Sequence, residues 1–527
     1  MKYAVPRENR QYAAWPAVES LCGLVAGNVK TLRSSNLSVL DKPFLEFRSQ
    51  CIRDAFAAAG VYAGRMRLPS PAPPRGAIIA TGHQPEFHHA GVWIKNHLAA
   101  RLARAVGGAS LDLVVDNDVP KHLCLMMPVG GPGNARRVAV AYAQPRPDVP
   151  YEEYPPQIAD SDALKSEVER AASGMPYADE AGDLVARIGN ADGSGNSIAD
   201  VVTAVRVSYE RECGLANAEV PMSRLACTPA FGVFVQSLCR EAPRFLEAHN
   251  AALAEYRRDN HIRYRVNPVP DLATRGSLVE VPFWVWLPGG RRSRLFVEVK
   301  GPTVHLYAGG AKVASVSGET SSEAAASWSV LSASKVKVRP RALSTTIFAR
   351  LFLSDLFIHG IGGAKYDEGT DRIIRTFYGI EPPAYAVISA TLTVDWPFAP
   401  ADRREVTRLA RFLRDIKYNP DRLLDPCPSD CAALVARKRS LVARAAPDAD
   451  GRRQKWQSIR DTNDALAARL EPVRVHNQRE LQELQKSIAA DDILFGREYS
   501  CFLVGAARTV SFYDEVLAPL VRSCPEG

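Results

Sequence analysis

Four absences narrow the reading of this 527-residue chain. No cysteine pair has the two-residue gap of a zinc knuckle or redox motif. The ten thiols (Cys22, Cys51, Cys124, Cys213, Cys227, Cys239, Cys427, Cys431, Cys501, Cys524) come no closer than Cys427 and Cys431, with no second pair to complete a metal site. Reduced thiols are the expectation. No apolar run reaches membrane-spanning length, and Met1–Glu8 opens without a signal-like apolar segment, which points to a cytoplasmic protein outside the membrane. Long basic blocks are missing too. The net charge of +8 comes from arginine scattered along the chain, which argues against nucleic acid as a partner and suits a small anionic ligand.

What is present is a globular composition, 46% hydrophobic and 24% charged, in a chain too long for one core. Five segments are expected. Residues 1–75 form a helical start ending in the connector Pro69, Pro71, Pro73 and Pro74. Residues 76–277 hold the first half of a Rossmann-like α/β core with a helical insertion from about 129 to 220. Residues 278–330 form two β-hairpins, residues 331–400 the second half of the core, and residues 401–527 a helical coiled-coil arm kinked near Pro472. The arm's heptad-like positions (Trp456, Ile459, Leu466, Leu470, Val473, Leu481, Leu484, Ile488) predict a homodimer through it.

The richest stretch is Gly76-Ala77-Ile78-Ile79-Ala80-Thr81-Gly82-His83-Gln84-Pro85-Glu86-Phe87-His88-His89, followed by an amphipathic pattern through Leu102. An apolar run, a loop of glycine, histidine and carboxylate, and then a helix is how a parallel strand hands its chain to a helix N-terminus, where α/β proteins place ligands. Histidines there lie near backbone N–H groups and the positive end of the helix dipole. His83 and His88 are therefore candidates for neutralising charge on phosphorus. Thr81, Gly82, Gln84 and His89 are candidate ligand contacts. The strand Leu111–Val115 ends in Asp116-Asn117-Asp118, and Asp116 and Asp118 would orient a hydroxyl, an amine or Mg²⁺. His97 and His122 read as surface or capping residues.

A second constellation, Gly360-Ile361-Gly362-Gly363-Ala364-Lys365-Tyr366-Asp367-Glu368, follows the apolar run Leu351–Ile358, which reads as a strand, and precedes a helix through Ile373, Ile374 and Phe377. Gly360, Gly362 and Gly363 predict a loop that lets backbone approach a ligand, Lys365 a catalytic cation, and Asp367 or Glu368 an acceptor. The basic run Lys335–Ser344 reads as a solvated connector. Glu280 and Trp284 fit either a pocket wall or hairpin core.

Three of these stretches resemble the bacillithiol synthase family of cysteine ligases. Thr81-Gly82-His83-Gln84 resembles that family's Thr-Gly-Gln-Gln loop. Arg341–Ser344 through Gly360–Gly363 resembles its Pro/Arg start, apolar helix and Gly-Gly loop, and Ser389-Ala390-Thr391-Leu392 the strand that follows. The resemblance implies a class I nucleotidyltransferase-like Rossmann core and a C-terminal coiled coil. It also implies a bound adenine nucleotide, ATP or ADP, and condensation of cysteine with a glucosaminyl-malate amine. His83 stands where the family has glutamine, and Ala364-Lys365 where it has an acid. On this basis the expected function is joining or activating a small carboxylate or amine with a nucleotide over the two loops. Two alternatives stand beside it: a metal-dependent hydrolase built on His83, His88, His89, Asp116 and Asp118, and a non-catalytic scaffold.

Overall fold

The computed structural model describes residues 3–523 apart from Ala72, Ala159, 265–268, Asp425 and Pro447. Its mixed α/β chain runs through β1 (Gln11–Trp15), α1 (Leu21–Arg33), α2 (Phe44–Arg65), β2 (Ile78–His83), α3 (Ala90–Ala105) and β3 (Ala109–Val114). Two helices, Ser161–Ala172 and Ala178–Ala191, precede α4 (Ile198–Glu212), β4 (Ala218–Pro221), α5 (Pro229–Arg240) and α6 (Ala242–Asp259). Next come β5 (Leu278–Trp286), β6 (Ser293–Lys300), β7 (Thr303–Ala308), β8 (Ala311–Ser317), α7 (Ser321–Ala333) and β9 (Lys337–Pro340). The chain continues through β10 (Leu356–His359), α8 (Ile361–Ile373), β11 (Ala386–Thr391), α9 (Arg403–Tyr418), α10 (Ala449–Ala467), α11 (Glu471–Leu494) and α12 (Ala506–Ser523).

Six strands form one sheet in the order β1-β11-β10-β2-β3-β4, with β1 antiparallel to β11 and the remaining neighbours parallel. Strands β2, β10 and β11 are built on short apolar runs because both faces are covered, whereas β3 and β4 carry the buried acids Asp112 and Glu219. Ile78, Ile79 and Ala80 are buried, as are Leu356 through His359 and all of β11. Thr81 Oγ1 donates to Ile358 O at 3.0 Å, fastening β2 to β10. At the opposite end, Asp355 accepts from Ile78 N at 2.7 Å and pairs with Arg48 at 3.0 Å.

A second sheet is antiparallel, in the order β8-β7-β6-β5-β9. One core packs both sheets against α2 and α5, with Phe47 against Phe352 at 5.1 Å and Phe231 against Phe348 at 5.0 Å. Helix α5 begins at a Thr228 cap followed by Pro229, and α7 at a Thr320/Glu323 capping box.

Several expectations change. The stretch read as insertion ends in β4, a core strand. The basic run is a strand: β9 pairs with β5, Arg339 grips Glu152 through Nε at 2.9 Å and Nη2 at 3.0 Å, and Arg341 pairs with Glu280 at 2.8 Å. Glu280 is thus core, while Trp284 lies under Arg292 and Arg341. Helical turns occupy Ala342–Leu353, leaving only Leu356–His359 as strand. Pro472 sits in the first turn of α11, where its missing N–H costs nothing, so it starts a helix. Trp456 is exposed and Val473 largely so, outside any heptad core. His97 is fully buried between Trp93 and Tyr513, at ring distances of 4.6 and 4.8 Å, and burial pushes it down to about 3; His122 is exposed. Cys22 is disulfide-bonded, against the expectation of reduced thiols, whereas Cys51, Cys124, Cys213, Cys227, Cys239, Cys427, Cys431 and Cys501 are free. Cys524 lies outside the described residues.

By compactness the chain divides into two units. One comprises Met1–Met127, Ala139–Asp395 and Arg497–Gly527, and the other Pro128–Val138 and Trp396–Gly496. The second is helical, with α9 lying along α10 and α11. Among the described residues no helix is long and apolar enough to cross a membrane.

Candidate functional site

In the first unit His83, Asp116 and His359 stand at or just beyond the carboxyl ends of β2, β3 and β10. Strand β2 delivers His83, and the next six residues turn to α3. His89 is the cap of that helix, its Nδ1 accepting from Gly91 N at 3.0 Å. The Gln84 carbonyl faces two imidazoles, His83 Nδ1 at 3.2 Å and His88 Nε2 at 3.1 Å. A carbonyl oxygen only accepts, so both nitrogens carry protons and both tautomers are fixed. His83 Nε2 is then a free acceptor, and His88 Nδ1 is buried without a partner.

Burial pushes His83 down to about 3, His88 well below its ordinary range and His89 to about 4. All three are neutral at pH 7. Without a bound anion His83 and His88 can give and take hydrogen bonds but bring no cation of their own. A cation does lie beneath them. Lys95 of α3, buried, donates to Gly82 O at 2.7 Å. Burial lowers it to about 8 against the pull of Asp112, so it stays mostly charged at neutrality. Lys95 was missed from sequence; the signal was a Lys-Asn-His triplet within a helix otherwise apolar on both sides of it, which is buried without a break from Trp93 to Ala99.

Beside this, β10 ends at His359 and α8 starts directly, with Gly360 as its cap. The glycine loop expected here is helix: Gly362 and Gly363 sit in the first turn, with no side chain capping it. Gly363 is required by packing, since a Cβ there would lie 2.9 Å from His359 Nδ1, whereas Gly362 is exposed with nothing near it. A Cβ on Gly360 would lie 4.0 Å from Lys95 Cδ, so Lys95 reaches under both strand ends. Lys365 is half-buried on the same first turns.

Asp367, expected to orient a ligand hydroxyl, is instead buried and held by Arg350 at 2.8 Å and His359 Nε2 at 2.7 Å. Burial alone would raise its carboxyl, but Arg350 and His359 hold it below the ordinary value. Thr81 is likewise spent on Ile358 O. Gln84 Nε2 donates to Asp118 Oδ2 at 2.9 Å, and Asp118 also pairs with Arg292 at 3.0 Å.

Across β3 and β4 the edge opens into a cavity of about 290 Å³ whose walls include Asp116, Ser223, Arg224, Cys227, Trp328 and Arg339. Ser223 N donates to Asp116 Oδ1 at 2.8 Å and its hydroxyl donates to Oδ2. Burial and the neighbouring Glu152 push the Asp116 carboxyl up to about 7, against Ser223 and Arg339. Behind it, Arg206 pairs with Asp112 at 3.1 Å, Glu210 at 2.8 Å, and Glu219. Burial raises the Glu210 and Glu219 carboxyls.

Among the described residues no group of three or more His, Cys, Asp or Glu is placed to hold a metal ion. The set of His83, His88, His89, Asp116 and Asp118 is not assembled, because a carbonyl, a helix cap, Ser223 and Arg292 each claim its members. No protein-family profile matches this chain, and no curated protein sequence matches it.

Proposed function

We propose that this chain is a nucleotide-binding enzyme with a Rossmann-like, nucleotidyltransferase-type core, a ligase that activates a small carboxylate and joins it to an amine, as the bacillithiol synthase resemblance implies. The observation that carries the reading is the parallel pairing of β10 beside β2, with Ile358 opposite Thr81. Counted by appearance, the parallel strands run 3-2-1-4-5, so chain direction across the sheet reverses between these two strands, and ligands of open α/β sheets lie outside the carboxyl ends at such a reversal.

In this reading the phosphates of an adenine nucleotide lie over the uncapped first turn of α8, at Ile361, Gly362 and Gly363, where backbone N–H groups and the helix dipole favour an anion. Lys365 and the deeper Lys95 supply the cations. His83 offers Nε2 as an acceptor for a hydroxyl or amino hydrogen, and His88 holds the loop. Attack of a carboxylate on phosphorus builds negative charge on its oxygens, and preorganised donors lower that barrier. Self-association through α9–α11 belongs to the same proposal. A groove there, of about 730 Å³, includes Leu413, Ile416, Ala467 and Leu481, and light scattering of the intact chain tests it.

A thermal-shift series with ATP, ADP and other nucleotides tests the reading. Binding to the native state raises apparent stability by mass action. An adenine nucleotide should raise Tm, and Gly362→Asp, which has room for its side chain, should abolish the rise by placing a carboxylate on the anion site. No rise with any nucleotide contradicts the reading.

A further inference from the structure

In the reading above the nucleotide lies over α8 and leaves the cavity over β3 and β4 free, and the walls of that cavity are uneven in charge. Glu152 is answered by Arg339 and Lys337. Asp116 and Asp200, both buried, line the same space without a direct ion pair. Asp200 accepts from Asn196 N at 2.6 Å, and Asp116 receives both donors of Ser223. The other charged groups facing Asp116 are Glu152 and Arg339, and Arg224 and Lys337 stand on the cavity wall. A buried carboxylate with no cation of its own is costly unless something proton-bearing arrives.

We propose that this cavity admits the amine partner of the condensation, and that Asp116, with Ser223 relaying, takes the proton the amine must lose. The inference rests on the carboxylate-activating reading above. Neighbouring strands lie about 4.8 Å apart, so the first turn of α8, beyond β10, and Asp116, beyond β3, stand two strands or roughly 10 Å apart, and the acyl group carried on the phosphates must extend across the end of β2 to meet the amine.

The step balances with ATP as co-reactant. The activated acid is an acyl phosphate or acyl adenylate. The ammonium gives one proton to the Asp116 carboxylate, and the freed lone pair forms the C–N bond. The acyl C–O bond breaks with its electron pair leaving on phosphate, and the second N–H proton passes to water. A carboxyl titrating near neutrality suits this task, because general-base efficiency is greatest when the pKa is close to the working pH.

Hydroxylamine separates the two claims, since it is uncharged near neutral pH and needs no base. The intact chain is given ATP, a panel of small carboxylic acids, and either hydroxylamine or a panel of ordinary primary amines such as ethanolamine and lysine. The native protein should form both hydroxamates and amides. Asp116→Asn should keep hydroxamate formation and lose amide formation by about a hundredfold or more. Ser223→Ala, which keeps the carboxylate, should fall between. Alkylation of Cys227 by iodoacetamide should be slowed by a productive amine, while exposed Cys427, outside the cavity, is unaffected. Equal amide rates in native and Asp116→Asn protein overturn the role of Asp116. Hydroxamate without any amide, from native protein, overturns the amine site while leaving activation intact. No hydroxamate from native protein with any acid overturns the activation reading and this inference with it.

Discussion

Two buried carboxylates at the same edge of one sheet are treated in opposite ways. Asp367, beyond β10, is locked by Arg350 and His359 and held below the ordinary carboxylate range. Asp116, beyond β3, receives only the hydroxyl and amide of Ser223, lines a cavity, and is pushed up to about 7. A carboxylate given a full set of partners fixes structure. One left short of a counter-charge is available for chemistry; Asp367 finds its partners 8 and 17 residues away, whereas Asp116 meets only Ser223, 107 residues on.

The pair can be broken from the Asp367 side first. Arg350→Leu leaves the buried Asp367 and the partly exposed Asp371 without their shared cation, and should cost about 3–5 kcal/mol in urea denaturation. The sign of the pH dependence follows from the lowered carboxyl. Asp367 contributes stability above its unfolded pKa of about 3.9, and that contribution is lost as pH falls through its lower folded value. Asp367→Asn should therefore flatten the acid limb of the stability curve. Next in size, Gly363→Ala drives a methyl against His359 and should cost about 1–3 kcal/mol, leaving Cys227 alkylation in the other region unchanged.

On the Asp116 side the sign reverses. A carboxyl whose folded pKa lies above its unfolded one costs the native state nothing below pH 4, and the penalty grows until pH passes about 7. Asp116→Asn should thus stabilise the protein more at pH 8 than at pH 4, read from denaturation midpoints at both pH values. Smallest of all, His97→Phe removes two buried ring nitrogens with no partner and should change stability by under about 1 kcal/mol, in the favourable direction.

Sequence legibility divides along the same line. Strand β2, its loop, α3 and β3 were readable because a short apolar run meeting glycine and then an amphipathic helix is a local pattern. Strand β4 was not, since Ala218-Glu219-Val220-Pro221 hides a buried glutamate that only Arg206 makes tolerable. The apolar run 351–357 read as strand because a short apolar stretch carries no period to separate strand from helix. Asp116 was singled out and Asp367 beside it, yet nothing local told the paired acid from the unpaired one. Lys95 escaped for the same reason: a lysine amid Trp93, Ile94 and His97 declares itself only when Gly82 O is found above it.

Hydrogen exchange of the intact chain with and without ATP tests the central claim, that the reversal between β2 and β10 is the working mouth of the molecule. ATP should slow exchange in the peptides covering 83–89 and 360–365 together, and leave those of α9 to α11 unchanged. Protection confined to the helical unit, or none at all, would contradict it.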